Sequence, residues 1–176
     1  AYEEDDLNII GQGEVFLQNE IDKINYKIYK KKNEFKFDTT LTILKNPFKL
    51  ELLNYSKKEN SNLLLNFQGK KKFNQKLIFD KISLKEKENI ISIKDLVLSN
   101  DNKINDIGNV NISYQDEEDL NNNLQITKKN NDYLVSGNYF NINNLIDRLL
   151  NSEDDKKLSF FSKDFKLFFD IDKIYL

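Results

Sequence analysis

The 176-residue sequence predicts an all-β protein: a long antiparallel meander of strands carrying one short amphipathic helix. Three observations predict it. Apolar and polar residues alternate at a period of two through most of the chain, the signature of strands with one buried face. Polar clusters interrupt that alternation roughly every 13 to 15 residues, which leaves strands of about ten residues, or ~33 Å each. In a single stretch, "GNYFNINNLIDRLLN", the apolar spacing changes to that of one helical face.

Taken in order, "DKINYKIYK" places Ile24, Tyr26 and Ile28 on one face, and "EFKFDTTLTIL" aligns Phe35, Phe37, Leu41 and Ile43. "FKLELLNY" reads as a further strand with Phe48, Leu50 and Leu52 inward, and "NLLLNFQG" contributes Leu63, Leu65 and Phe67. "KLIFDKISL" gives Leu77 and Phe79 before its face switches to Ile82 and Leu84. Later strands supply Ile91 and Ile93, Val110 and Ile112, Leu124 and Ile126, Val135, and finally Phe165, Leu167 and Phe169. "IIGQGEVFL" and "IKDLVL" interrupt the alternation, which predicts a bulge in each.

Gly is scarce at 5 and Pro single, so Asn, Asp, Ser and Lys must build the turns. Asn and Asp tolerate left-handed φ and bond their own backbone, which suits them to that role. Connections this short join only antiparallel neighbours. The helix is predicted over 142–151, with Asn141 as its N-cap and Ile142, Leu145, Ile146, Leu149 and Leu150 as its packing stripe. At about ten residues it must dock on something to persist.

About eleven strands at ~4.8 Å spacing make a sheet ~50 Å wide, and one short helix cannot cover its apolar face. The sheet must fold on itself as a sandwich or barrel, or curl into a trough filled by something else. No domain boundary is visible, so residues 1–176 read as one domain. The absence of Met marks the chain as a mature form or an excised piece of something longer.

Composition excludes much chemistry. With no Cys and no His, disulfides, thiolate nucleophiles, zinc sites and His-based acid–base catalysis are absent. Lys and Arg balance the acids to a net charge of −2, so the basic footprint of nucleic-acid binding is missing. The acidic runs Glu3–Asp6 and Asp116–Asp119 read as solvated loop charges, because contiguous carboxylates are poorly arranged to wrap a calcium ion. "DNKINDIG" departs from an EF-hand loop at Lys103 and Ile104. Nothing among the 29 acids singles out a pair for glycoside cleavage. The reading is of a non-enzyme without metal or cofactor.

"IISIKDLVLSNDNKINDIGNVNISY", Ile90 to Tyr114, resembles the strand pairs of the AsmA-like family. "YLVSGNYFNINNLIDRLLN" followed by "DFKLFFDIDKIYL" is similar to a strand, helix and strand unit in its long bacterial envelope members. The resemblance covers residues 90–176; the first half shares only the strand texture. It implies that the meander curls into an open trough within a longer β-rod. It further implies a periplasmic bridge, held to the inner membrane by parts outside this sequence, along which phospholipids pass between the inner and outer membranes. The inward residues named above would then line a groove for acyl chains. The implied partners are a phospholipid and neighbouring groove segments of the same chain. Each CH₂ kept from water is worth ~0.8 kcal/mol, so a 15-carbon chain contributes on the order of 12 kcal/mol without a head-group pocket.

Overall fold

The computed structural model describes residues 6–72, 75–150 and 161–176, with the side chains of 148–150 outside that description. Glu3 to Asp5, the polar connection after the helix, and the side chains of Leu149 and Leu150 therefore lie outside the described residues. The described chain is mainly strand, with one α-helix, as its alternation predicts.

One eleven-stranded sheet dominates. It begins with β1 (Leu7–Leu17), β2 (Glu20–Lys31) and β3 (Glu34–Ile43), joined antiparallel in sequence. The chain then leaves the sheet. The stretch read as a strand with Phe48, Leu50 and Leu52 inward instead forms a strap over residues 44–62. This strap holds a two-residue strand β4 (Lys49–Leu50), a 3-10 turn (Glu51–Leu53) and β5 (Tyr55–Ser56), which pairs only with β4. Pro47 interrupts the ladder at the start of this excursion, and the left-handed Asn54 closes the turn at its middle.

The sheet resumes with β6 (Leu63–Lys72), β7 (Leu77–Glu86) and β8 (Asn89–Leu98). Along β8 the neighbouring position is shared: β10 (Asn109–Gln115) pairs with its first half and β9 (Ile104–Asp106) with its last residues. β11 (Asn121–Lys129) and β12 (Asp132–Asn141) continue antiparallel. After helix α1 (Asn143–Leu150), β13 (Leu167–Tyr175) runs parallel to β12. The all-antiparallel expectation fails at this pair. A helical crossover returns the chain to the end from which β12 began, whereas a tight turn would have reversed it.

Strand order ends at β1 and β13, which do not pair with each other, so the sheet is open. Among the described residues no second large sheet faces it, which removes the two-layered sandwich.

The turns follow the residue chemistry. Gln18, Lys32, Lys87 and Asn130 begin two-residue hairpin loops with left-handed φ, and no described glycine has a positive φ. Glycine works within the sheet instead. A Cβ on Gly69 would strike the Ile78 carbonyl and the Phe37 ring, and one on Gly137 would strike the Asn123 carbonyl. Both sit at register shifts, where backbones approach closely. Of the predicted bulges, β1 has none, since its register with β2 is unbroken from Leu7 to Leu17. The irregularity in "IKDLVL" is present at Asp95, which adopts φ 54°.

Candidate functional site: one apolar face, half covered

Cross-strand register fixes which side chains share a face. One rank runs Gly13, Ile24, Leu41, Leu65, Leu84, Ile91, Ile112, Leu124, Gly137 and Ile171, each opposite the next. A second runs through Tyr26, Thr39, Phe67, Ile82, Ile93, Val110, Ile126, Val135 and Phe169. A third joins Ile9, Ile28, Phe37, Gly69, Phe79 and Leu96. The inward residues read from alternation fall on this one face in every long strand. Ile82 and Phe79 both lie on it because Asp80 is an extra residue opposite the Gln68–Gly69 step, which resets the phase of β7, and Leu96 joins it past the left-handed Asp95, which resets β8.

Coverage of this face is uneven. Where β3 ends and β6 begins, the strap and the start of α1 lie over it. Tyr55, Leu63 and Ile43 are buried there, with Phe48, Leu50, Leu53, Ile142 and Leu145 packed against them. Leu65, Ile91, Val110, Ile112, Leu124 and Val135 belong to the same dry cluster. With Ile43 and Leu63, eight of the expected lining residues are thus core in this structure. Leu52 is exposed and faces away from the cluster. Ile24, Tyr26, Ile28, Phe37, Leu41, Phe67, Leu77, Phe79, Ile93 and Ile126 are half-buried. Phe35, Leu167 and Phe169 are exposed, the last two on edge strand β13, and Leu7 and Ile9 on β1 are exposed as well. At the end away from the strap, Phe35, Phe37 and Phe79 form an aromatic row with centroids 6.0 and 5.6 Å apart. Phe165 precedes β13 and packs edge-on against Tyr133 at 5.4 Å.

Three carboxylates fasten the strap end. Glu86 accepts from the Tyr55 hydroxyl at 2.6 Å, from the Lys58 amide at 2.8 Å and from the Ser61 hydroxyl. Burial pushes the Glu86 carboxyl up, but these donors together outweigh burial and hold it below its ordinary value. Burial and the facing Glu86 push the Tyr55 hydroxyl well up, so it stays a donor. Asp22 accepts from the amides of Leu44 and Lys45 at 2.7 and 3.2 Å and from the Asn46 side chain at 2.7 Å. Burial opposes its ionisation and the hydrogen bonds from residues 44–46 overcome that, leaving it lowered. Asp116 accepts from the Glu118 and Leu120 amides and from the side chains of Asn122 and Asn141. The oxygen of Asn141 in turn accepts from the Asn143 amide, the capping role its sequence position predicts. Lys49–Glu117 and Lys58–Asp119 contacts at 3.0 and 3.6 Å tie the strap to the same loop. Asn144 donates to the Glu51 carbonyl at 3.0 Å and joins α1 to the 3-10 turn.

The run Asp116–Asp119 therefore departs from the expectation of solvated charge: Asp116 is buried and organises the loop. The signal was present in the parity of each strand. Asp22 shares the phase of Ile24 and Tyr26, Glu86 that of Ile82 and Leu84, Asp116 that of Ile112 and Tyr114, and Asn122 that of Leu124. All four are polar residues at inward positions, and all lie at one end of the sheet.

Among the described residues, hollows on the opposite, polar face include two of note. The larger, about 590 Å³, is lined by Asn111, Ser113, Asn123, Gln125, Asp170 and Asp172 among others; the smaller, about 480 Å³, includes Gln12, Asn25, Asp38 and Asn66. Among the described residues no cluster of acids could hold a metal ion, and no helix is long and apolar enough to cross a membrane. The described chain is thus a β protein built on one large open sheet with one mainly apolar face. No family model, no curated protein and no solved structure matches it.

Proposed function

We propose that this chain is a non-enzymatic segment of a periplasmic AsmA-like bridge protein that shields phospholipid acyl chains between the inner and outer membranes. One observation carries the reading. Two ranks of mainly apolar side chains cross the sheet and a third runs from β1 to β8, and among the described residues only the strap, α1 and short flanking segments lie over them. Among the described residues the uncovered part spans β1, the far halves of β2, β3, β6 and β7, and β13. An exposed apolar surface of this extent favours an occupant. The accessible lining there is mainly Leu, Ile and an aromatic row, with Lys30 and Lys71 on the same face only at its far margin, which leaves a sliding cargo a mostly apolar path. In the longer protein, a neighbouring groove segment would extend the ranks past β13.

Native mass spectrometry of the purified chain tests the reading. Co-purified phospholipid is expected, and Phe37→Asp and Phe169→Asp should each lower its occupancy at least tenfold, about 1.4 kcal/mol. Lys23→Ala, exposed on the polar face, should leave it unchanged. Lipid-free protein of full stability, or equal loss in all three variants, would sink the groove.

A further inference from the structure

The outermost described strand, β1, lacks most of the devices by which sheets normally block their edges. It is eleven residues long, has an unbroken register and carries one charge, Glu14. It contains no Lys, Arg, Pro or bulge, the usual protections of an edge. Apolar side chains are exposed on both of its faces: Leu7 and Ile9 on the ranked face, and Ile10 at 68% and Phe16 at 70% on the other. Every amide and carbonyl on its outer side is a ready pairing group, and among the described residues β1 pairs only with β2.

The residue pattern of β1 is also close to palindromic about Gln12. Set antiparallel against a second β1 with Gln12 opposite Gln12, Leu7 faces Leu17, Ile9 faces Val15 and Gly11 faces Gly13. All of these are apolar or glycine and lie on the ranked face. On the other face Asn8 meets Phe16 and Ile10 meets Glu14, so the two Glu14 residues stay apart. The opposite edge reads differently. Pairing β13 with its own copy about Ile171 would set Asp170 directly against Asp172 twice, a like-charge arrangement that sheets avoid. One edge is guarded against self-pairing and the other is complementary to itself.

We propose that β1 is an isologous docking strand for a second copy of this chain, joined antiparallel about Gln12 into a sheet continuous across both copies. The rank ending at Gly13 in one copy then meets the rank ending at Gly11 in the other, and the apolar face passes the two-fold axis without a break. The inference goes beyond the lipid reading and does not rest on it.

Sedimentation equilibrium of the intact chain at about 100 µM should show a dimer. Gln12→Lys, which sets two ammonium groups opposite each other, should leave a monomer, and so should Gln12→Asp. An equimolar mixture of the two should restore a heterodimer, which a misfolded variant would not do. Because the chain has no Cys, single nitroxide labels report the register cleanly. Labels at position 12 should lie within about 15 Å of each other, whereas labels at position 8 should sit ~27 Å apart along the strand direction. A monomeric chain, a dimer that survives both charged variants, or labels at position 8 closer than those at 12 would overturn the proposal. Lipid occupancy read on the same samples separates its failure from that of the groove.

Discussion

The two ends of the apolar face are built from the same alternation, yet one is closed and the other is not. At the strap end, Asp22, Glu86, Asp116 and Asn122 interrupt the inward phase with polar groups, and each holds hydrogen bonds from a loop, a turn or the base of α1. At the far end of β1 to β7 the inward phase continues with Ile28, Phe35, Phe37 and Phe79, and the charged groups that share it, Lys30 and Lys71, are exposed side chains and not buried acceptors. Hydrophobic burial alone is non-directional and would let any apolar strip lie anywhere on the face. The buried carboxylates supply the direction, because a segment that covers them must present its N–H and O–H groups in register.

The largest effect should come from removing that direction. Glu86→Ala leaves the Tyr55 hydroxyl, the Ser61 hydroxyl and the Lys58 amide without their acceptor, at an expected cost of about 3 to 4 kcal/mol in urea unfolding. Acid should do the same more gradually. Both Glu86 and Asp22 sit below their ordinary values when folded. The stability they contribute is therefore complete above the ordinary carboxylate range, about pH 4 to 5, and is lost as pH falls toward their lower folded values. Amide exchange in residues 55–61 should rise over that window before exchange in β2 and β3 does. A Glu86→Gln variant that kept the full acid response would break the assignment.

Truncations on the same face sharpen the contrast. Leu63→Ala, at a fully buried site under the strap, should cost about 3 kcal/mol. Phe35→Ala, 39% exposed at the far end, should cost about 1 kcal/mol or less despite removing the larger side chain. Equal losses would mean that both ends are equally covered. The smallest effect lies off the face: Lys87 holds φ 52° in a hairpin, and Lys87→Gly should raise the unfolding free energy by about 0.5 to 1 kcal/mol.

Strand existence, strand length and inward face were legible because period-two alternation is a direct record of one-sided burial. The strap was not. Phe48, Leu50 and Leu52 alternate as a strand would, and only their environment shows two of them folding over the sheet while Leu52 faces solvent. The parallel return of β13 was equally hidden, since the residues of α1 specify a helix but not the side on which the next strand joins. For the candidate site, alternation identified which residues share one face but not how that face is covered. Whether Leu65 or Phe37 stays accessible depends on where hydrogen-bonding partners lie across the sheet, and that information is spread over residues 22, 86, 116 and 122.

The parallel crossover also has a mechanical consequence. Because β13 runs beside β12, Tyr175 lies level with Asn141 at the strap end, while Leu7, opposite Lys30, lies at the far end. Tension applied between these two points crosses the sheet diagonally, with a component along both edge strands. It loads their ladders in shear, with many cross-strand bonds sharing the force at once. A hairpin return in place of α1 would have brought both points to one end and let a pull unzip the last strand bond by bond.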